Sequence, residues 1–171
     1  MRGTAPASGL RRDDRIAPRS AALLRGGSGV EPVAGDPFVV RAHVGRVVEL
    51  KMLSLVGLDD VSALSESLLE IIESIGGSAL LLADYRAATP FAHDVADAWS
   101  RSMRRFNAAV ERSAIWLDPA NDTFNLQIAR VVRCAGSPRR RCMQHAADVR
   151  DWLCAVATAS EAACIDDLLR E

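Results

Sequence analysis

The chain has 171 residues, a formal charge of −1, 49% hydrophobic and 25% charged residues. That balance suits one ordinary hydrophobic core with some chain to spare, and it gives no global pull toward nucleic acid or anionic membrane. No window reaches the roughly 18 continuous apolar residues of a membrane span, and the N-terminal run AALL is too short for a secretory core. The expectation is a cytoplasmic protein without nucleic-acid or membrane partners.

Residues 1–36 are rich in Arg, Gly, Ser, Pro and Asp and show no apolar periodicity. Such a segment buries too little surface to offset its ordering entropy and reads as a disordered leader. An arginine-bearing interaction arm, or sequence upstream of the true start, are the other readings. Order is expected over 37–171. FVVRAH and RVVELKML are β-rich runs separated by Val44-Gly45, a hairpin pattern. Val61, Leu64, Leu68, Ile71, Ile72 and Ile75 then recur at helical spacing, with Asp59 or Asp60 as N-cap and Gly76-Gly77 as the stop.

SALLLADY is apolar on both faces, as in a strand covered on each side. The next helix is expected from Pro90, with Ala92, Val95, Ala96, Trp99, Met103 and Phe106 along one stripe and Thr89 as its N-cap. RSAIWL reads as another buried strand. Asn121 or Asp122 opens a helix with Phe124, Ile128, Val131 and Val132 inward, closed by Gly136. RRRCMQH reads as a short, solvated edge strand protected by charge, with Arg139 and Arg141 facing opposite to Arg140. Two helices finish the chain, one holding Val149, Trp152, Leu153 and Val156, the other opened by the capping pattern Thr158-x-x-Glu161. Alternation of strands and helices implies parallel pairing through right-handed crossovers. The fold class is therefore α/β, with a mixed, mainly parallel sheet of four to five strands packed by helices and a C-terminal helical extension.

Four cysteines, Cys134, Cys142, Cys154 and Cys164, lie in the last quarter of the chain and form no C-x-x-C pair. Cys142 and His145 make half a zinc site at most, to which Cys134 adds a third donor; small buried apolar side chains are the plainer role. No metal or cofactor is assigned. A G-x-S-x-G elbow around Ser100, His93 and Asp84 is missing, as are phosphate-cradling glycine loops.

Two expected strand ends carry an aspartate, Asp84 and Asp118. If those strands are neighbours, the carboxylates approach one another near the start of the second helix, as an acid–base pair or a divalent-cation site. The alternative is that each caps local turn amides. Tyr85 and Arg86 follow at once and line the same mouth or cover the sheet edge. Thr89 caps a helix, and a phosphoryl group on its hydroxyl would be tolerated there.

In this order RVVELKML, ALLLADYRA and RSAIWLDPANDTFNLQIARVVRCAG resemble the STAS domain (sulfate transporter and anti-sigma-factor antagonist), nearest to a divergent bacterial branch, over about residues 38–156. The resemblance implies a STAS-like sandwich without catalysis, which binds a protein partner such as an anti-sigma-factor-like regulator and is switched by phosphorylation. In the anti-sigma-antagonist branch the switch is an Asp-Ser-Ser-Gly segment at the start of the second helix. The matching place here, Ala92-His93-Asp94-Val95, has neither the hydroxyl nor the glycine. The implied interaction surface is Asp84, Tyr85, Arg86, Thr89, His93, Asp94, Asp118 and Asn121. Two alternatives stand beside it: a small-ligand or lipid-binding module with an apolar cavity lined by Trp99, Trp116 and Phe124, and an enzyme using Asp84 and Asp118.

Overall fold

The computed structural model describes residues 36–76 and 78–171, so the expected leader and the Gly77 half of the first helix stop lie outside the described residues. Strands β1 (Phe38–Ala42) and β2 (Val47–Met52) form an antiparallel hairpin whose turn needs Gly45, at φ +61°. Then follow α1 (Leu58–Ser74), β3 (Ala79–Asp84), α2 (His93–Arg105), β4 (Val110–Trp116), α3 (Asp122–Ala135), β5 (Arg140–Met143), α4 (Ala146–Cys154) and α5 (Ala159–Leu168). The sheet runs β1-β2-β3-β4-β5, and every pair after the first is parallel. The chain is thus α/β, with a five-stranded, mainly parallel sheet packed by helices.

Sequential strand order with crossovers of one hand puts α1, α2 and α3 on the same face of the sheet. There Leu64, Leu68, Trp99, Phe124 and Ile128 pack on Val48, Leu50, Leu81, Ala83 and Ile115. The other face carries Val47, Leu82, Ala114 and Trp116, covered by Val149 and Leu153 of α4 and Ile165 and Leu168 of α5. The double-sided apolarity of β3 follows from these two layers: Leu81 and Ala83 serve one core, Leu82 the other.

Two expected boundaries move. The N-cap of α1 is Gly57, and Asp60 accepts from Val56 N (2.8 Å) and Gly57 N (3.1 Å), closing the loop from the third helical position. Helix α2 starts at His93 with Ala92 as N-cap, so Thr89 does not cap it. The cause is Gln127 of α3, whose side-chain amide accepts from Phe91 N (2.9 Å) and donates to Phe91 O (2.8 Å). With both backbone groups so engaged and the Phe91 ring seated edge-on against Phe124 (5.4 Å), the segment is held by α3 and helix begins two residues later. The residue before a proline, Thr89, is in any case biased to extended backbone. The later caps follow the sequence: Asn121 Oδ1 accepts from Phe124 N (3.3 Å), Gly136 closes α3, and Thr158 and Glu161 form a reciprocal box.

Charge locks the layers together at the end of the sheet where the parallel strands begin. Arg46, in the β1–β2 turn, donates from Nε to Glu161 Oε1 (3.0 Å) and from Nη2 to Glu161 Oε2 (2.9 Å) and Val156 O (2.9 Å), and also pairs with Glu111. Its backbone N–H reaches Glu161 Oε1 as well (2.9 Å). Arg46 and the Thr158 N–H together hold the buried Glu161 carboxyl at about 2, far below its ordinary value. One residue of α5 is thereby bonded to a turn 115 positions earlier.

Arg140 departs from the solvated edge strand expected of its neighbours. It is buried under α2, with Nη2 donating to Met103 O (3.3 Å) and Asn107 Oδ1 (3.2 Å), and burial presses its pKa down. Asn107 donates to Ala135 O (2.8 Å) and Arg104 to Cys134 O (2.7 Å). The three side chains gather the carboxyl ends of α2 and α3, where helix dipoles favour positive charge.

Candidate functional site

In parallel α/β sheets, loops at the carboxyl ends of the strands are the usual place for recognition. Here those loops are 53–57 after β2, 85–92 after β3 and 117–121 after β4. They are joined by Thr89 N donating to Leu53 O (3.4 Å), Tyr85 N to Trp116 O (2.9 Å) and Leu117 N to Met143 O (2.8 Å).

The eight expected surface residues divide across this end. Asp84, the last residue of β3, points to the α4–α5 face and holds Arg86 three times: at N (3.0 Å), Nε (3.0 Å) and Nη2 (2.8 Å). The guanidinium lies 3.5 Å over the Trp116 ring, and the carboxylate raises its pKa. Thr89, His93 and Asp94 are exposed on the α1–α3 side. His93 contacts Asp97 (3.5 Å) and Arg130 (3.4 Å), an exposed cluster closed by Arg130 to Asp97 (3.1 Å).

Tyr85 does not belong to the surface. It is fully buried, its hydroxyl accepts from Trp99 Nε1 (3.1 Å), and burial pushes the phenol pKa up. Alternation along the strand explains this, because the residue after the outward Asp84 must enter the opposite layer. Asp118 and Asn121 act locally: Asp118 Oδ1 accepts from Ala120 N (2.9 Å), its carbonyl accepts from Asn125 Nδ2 (2.8 Å), and Asn121 caps α3.

β3 and β4 are neighbours, with Asp84 opposite Trp116. Even so, the carboxylate of Asp84 is turned to Arg86 and that of Asp118 to its own turn, as their bonds show. The three aromatic residues expected around one cavity do not converge either. Trp99 and Phe124 sit in the α1–α3 core, and Trp116 in the other. No group of three or more His, Cys, Asp or Glu is placed to hold a metal among the described residues, and Cys134 is exposed rather than buried.

The feature that helical and strand periodicity do not capture is an apolar patch in the loop before α1. Leu53, Val56 and Leu58 are 37%, 79% and 51% exposed, while Leu55 between them is buried. The signal was present in LSLVGL: four aliphatic residues lie in a stretch too short for either period, so most cannot face the core. The bond from Thr89 N to Leu53 O sets the Leu53 end of this patch beside Thr89, while His93 at the start of α2 is turned to Arg130 of α3. Among the described residues no helix is long and apolar enough to cross a membrane. No protein-family model, no curated protein and no solved structure matches this chain.

Proposed function

We propose that this chain is a non-enzymatic, STAS-like protein–protein interaction domain of a cytoplasmic signalling system, working without the usual phosphorylatable Asp-Ser-Ser-Gly segment. Its partner, of the anti-sigma-factor-regulator kind, docks on the carboxyl end of the sheet. The observation that carries the proposal is the exposed trio Leu53, Val56 and Leu58 in the loop before α1, with Thr89 bonded at its Leu53 end. The commitment of Asp84 to Arg86 and of Asp118 to a turn favours this function over acid–base chemistry by the pair.

A photoreactive residue placed at Val56 in the native cell tests it. The expected result is one stoichiometric adduct with another protein, lost when Leu53 and Leu58 are both changed to Glu while the far-UV spectrum is unchanged. No adduct, or one that survives those charges, refutes the proposed surface.

A further inference from the structure

Helix α1 carries five acids, Asp59, Asp60, Glu66, Glu70 and Glu73, and no base. Asp59 and Asp60 lie in its first turn, where the helix dipole favours them, and Asp60 closes the preceding loop. Glu70 and Glu73 lie near its carboxyl end, where the dipole opposes them, and Glu66 stands one turn from Glu70, where like charges repel. No ion pair reaches Glu66, Glu70 or Glu73 among the described residues.

At 3.6 residues per turn, Leu58, Ser62, Glu66, Leu69, Glu70 and Glu73 fall within about a third of the helix circumference. All six are exposed, Leu58 at 51% and Leu69 at 36%, while the buried residues from Val61 to Ile72 lie on the other side. The stripe therefore offers aliphatic side chains among uncompensated carboxylates along a helix of 17 residues, about 25 Å long.

We propose that residues 1–35 of this chain dock along this stripe, arginines against Glu66, Glu70 and Glu73, and aliphatic residues against Leu58 and Leu69. The point of exit favours this occupant. Leu53 N and Ser54 N both donate to Pro37 O (3.0 and 2.9 Å), so the chain before Pro37 joins the sheet beside the loop that leads into α1. Length allows it: the twelve positions from Pro37 back to Arg25 span up to about 40 Å when extended, more than the whole helix.

The segment complements the stripe in two ways. It holds six arginines, Arg2, Arg11, Arg12, Arg15, Arg19 and Arg25, against Asp13, Asp14 and Glu31. That is a surplus of three positive charges in a chain of net −1, so the remaining residues carry an excess of negative charge to receive it. Leu10, Ile16, Leu23 and Leu24 lie among those arginines and match the aliphatic part of the stripe. Tethering raises the effective concentration to the order of millimolar, so contacts too weak to join separate molecules suffice within one. Leu58 belongs both to this stripe and to the partner surface proposed above, so the docked segment holds a partner off one edge of that surface. This last consequence rests on the proposed function, whereas the docking does not.

A photoreactive residue at Ser62, within the stripe, tests the docking in the purified full chain. The expected product is a link within one chain to residues 1–35, at a yield independent of protein concentration. Glu66→Gln, Glu70→Gln and Glu73→Gln together should lower that yield at least about fivefold, as should a rise from about 0.1 to about 1 M salt. Exchanging the charges, with the three glutamates changed to Arg and Arg11, Arg12, Arg15 and Arg19 changed to Glu, should restore it. No link to residues 1–35, a link to a second copy that grows with concentration, or a yield indifferent to the neutralised glutamates overturns the proposal. The purified chain contains no foreign partner, so a failure here leaves the expected Val56 adduct unaffected.

Discussion

Arg46→Met isolates the bond between the hairpin turn and the last helix. The substitution keeps an apolar stem but deletes the donors to both oxygens of Glu161, to Val156 O and to Glu111. Removing one partner of a buried pair costs about 3–5 kcal/mol. The lower end applies, because the Arg46 side chain is 28% exposed and two backbone N–H groups, of Arg46 and Thr158, still reach the carboxylate. A loss of about 3 kcal/mol then corresponds to a Tm lower by about 6–12 °C for a domain this size.

The pH dependence sharpens the test. Glu161 has its folded pKa depressed from 4.5 to about 2, so its stabilisation is present above the unfolded value and is lost as pH falls toward the folded one. In the variant the cation that causes most of the depression is gone. The difference between the two proteins should therefore be largest above pH about 5 and shrink steadily toward pH about 2. Urea unfolding at a series of pH values measures it, and hydrogen exchange should show α5 losing protection first. A difference under about 1 kcal/mol at neutral pH, or one that does not change between pH 7 and pH 3, refutes the latch as a major source of stability.

Three further outcomes follow from the same geometry. Gly45→Ala meets both a left-handed φ of +61° and Glu161 Oε1 only 2.6 Å from the new Cβ, whereas Gly136→Ala, at φ +70°, meets nothing within 4 Å. Denaturant titration should show about 1–2 kcal/mol lost at Gly136 and clearly more at Gly45. Arg140→Ala should cost about 2–4 kcal/mol through lost stem packing and two charge-assisted bonds, while Arg139→Ala beside it stays within about 0.5 kcal/mol; equal effects would refute the assignment of Arg140 to the core. Val56→Glu should leave the Tm of the isolated chain within about 2 °C, because its side chain is mostly in water already.

The elements were legible where one physical signal dominated. Val61, Leu64, Leu68 and Ile71 repeat at helical spacing and do form the buried side of α1. The alternating layers along Leu81, Leu82 and Ala83 required helices on both sides of the sheet, and helices are there. Thr158 and Glu161 announced their cap and made it, although nothing local told that Glu161 would also receive Arg46. The misplaced start of α2 has the same origin. Thr89-Pro90 is a good local signal, but Gln127, 36 residues away, overrides it by bonding Phe91 on both sides. Asp84 and Asp118 look alike as strand-ending acids, but β3 ends at Asp84 whereas β4 ends two residues before Asp118, and Asp84 holds Arg86 on Trp116 while Asp118 closes a turn. Tyr85, expected to line the mouth or cover the sheet edge, is buried because strand alternation after Asp84 turns it into the α1–α3 layer.

The distribution of strong contacts over the sheet bears on where the proposed docking could occur without disturbing the fold. At the end where the parallel strands begin, Arg46 and Glu161 join the hairpin to α5. At the carboxyl ends of α2 and α3, Arg140, Asn107 and Arg104 fasten the helices. Both sets are long-range in sequence, and both lie away from the loops 53–57 and 85–92. Around the loops 53–57 and 85–92 the charged bonds are short-range, Asp84 to Arg86 and Asp60 to Val56 and Gly57, and shape those loops; the long-range pair at this end, Lys51 with Glu171 (2.9 Å), is exposed and lies on the α4–α5 face. A partner that displaces Val56 or Leu58 would therefore disturb local turns and leave the two cores intact. The proposed recognition at this end would thus be thermodynamically separable from stability, and substitutions at Val56 or Leu58 are expected to change unfolding free energy little. Substitutions at Arg46 should do the reverse.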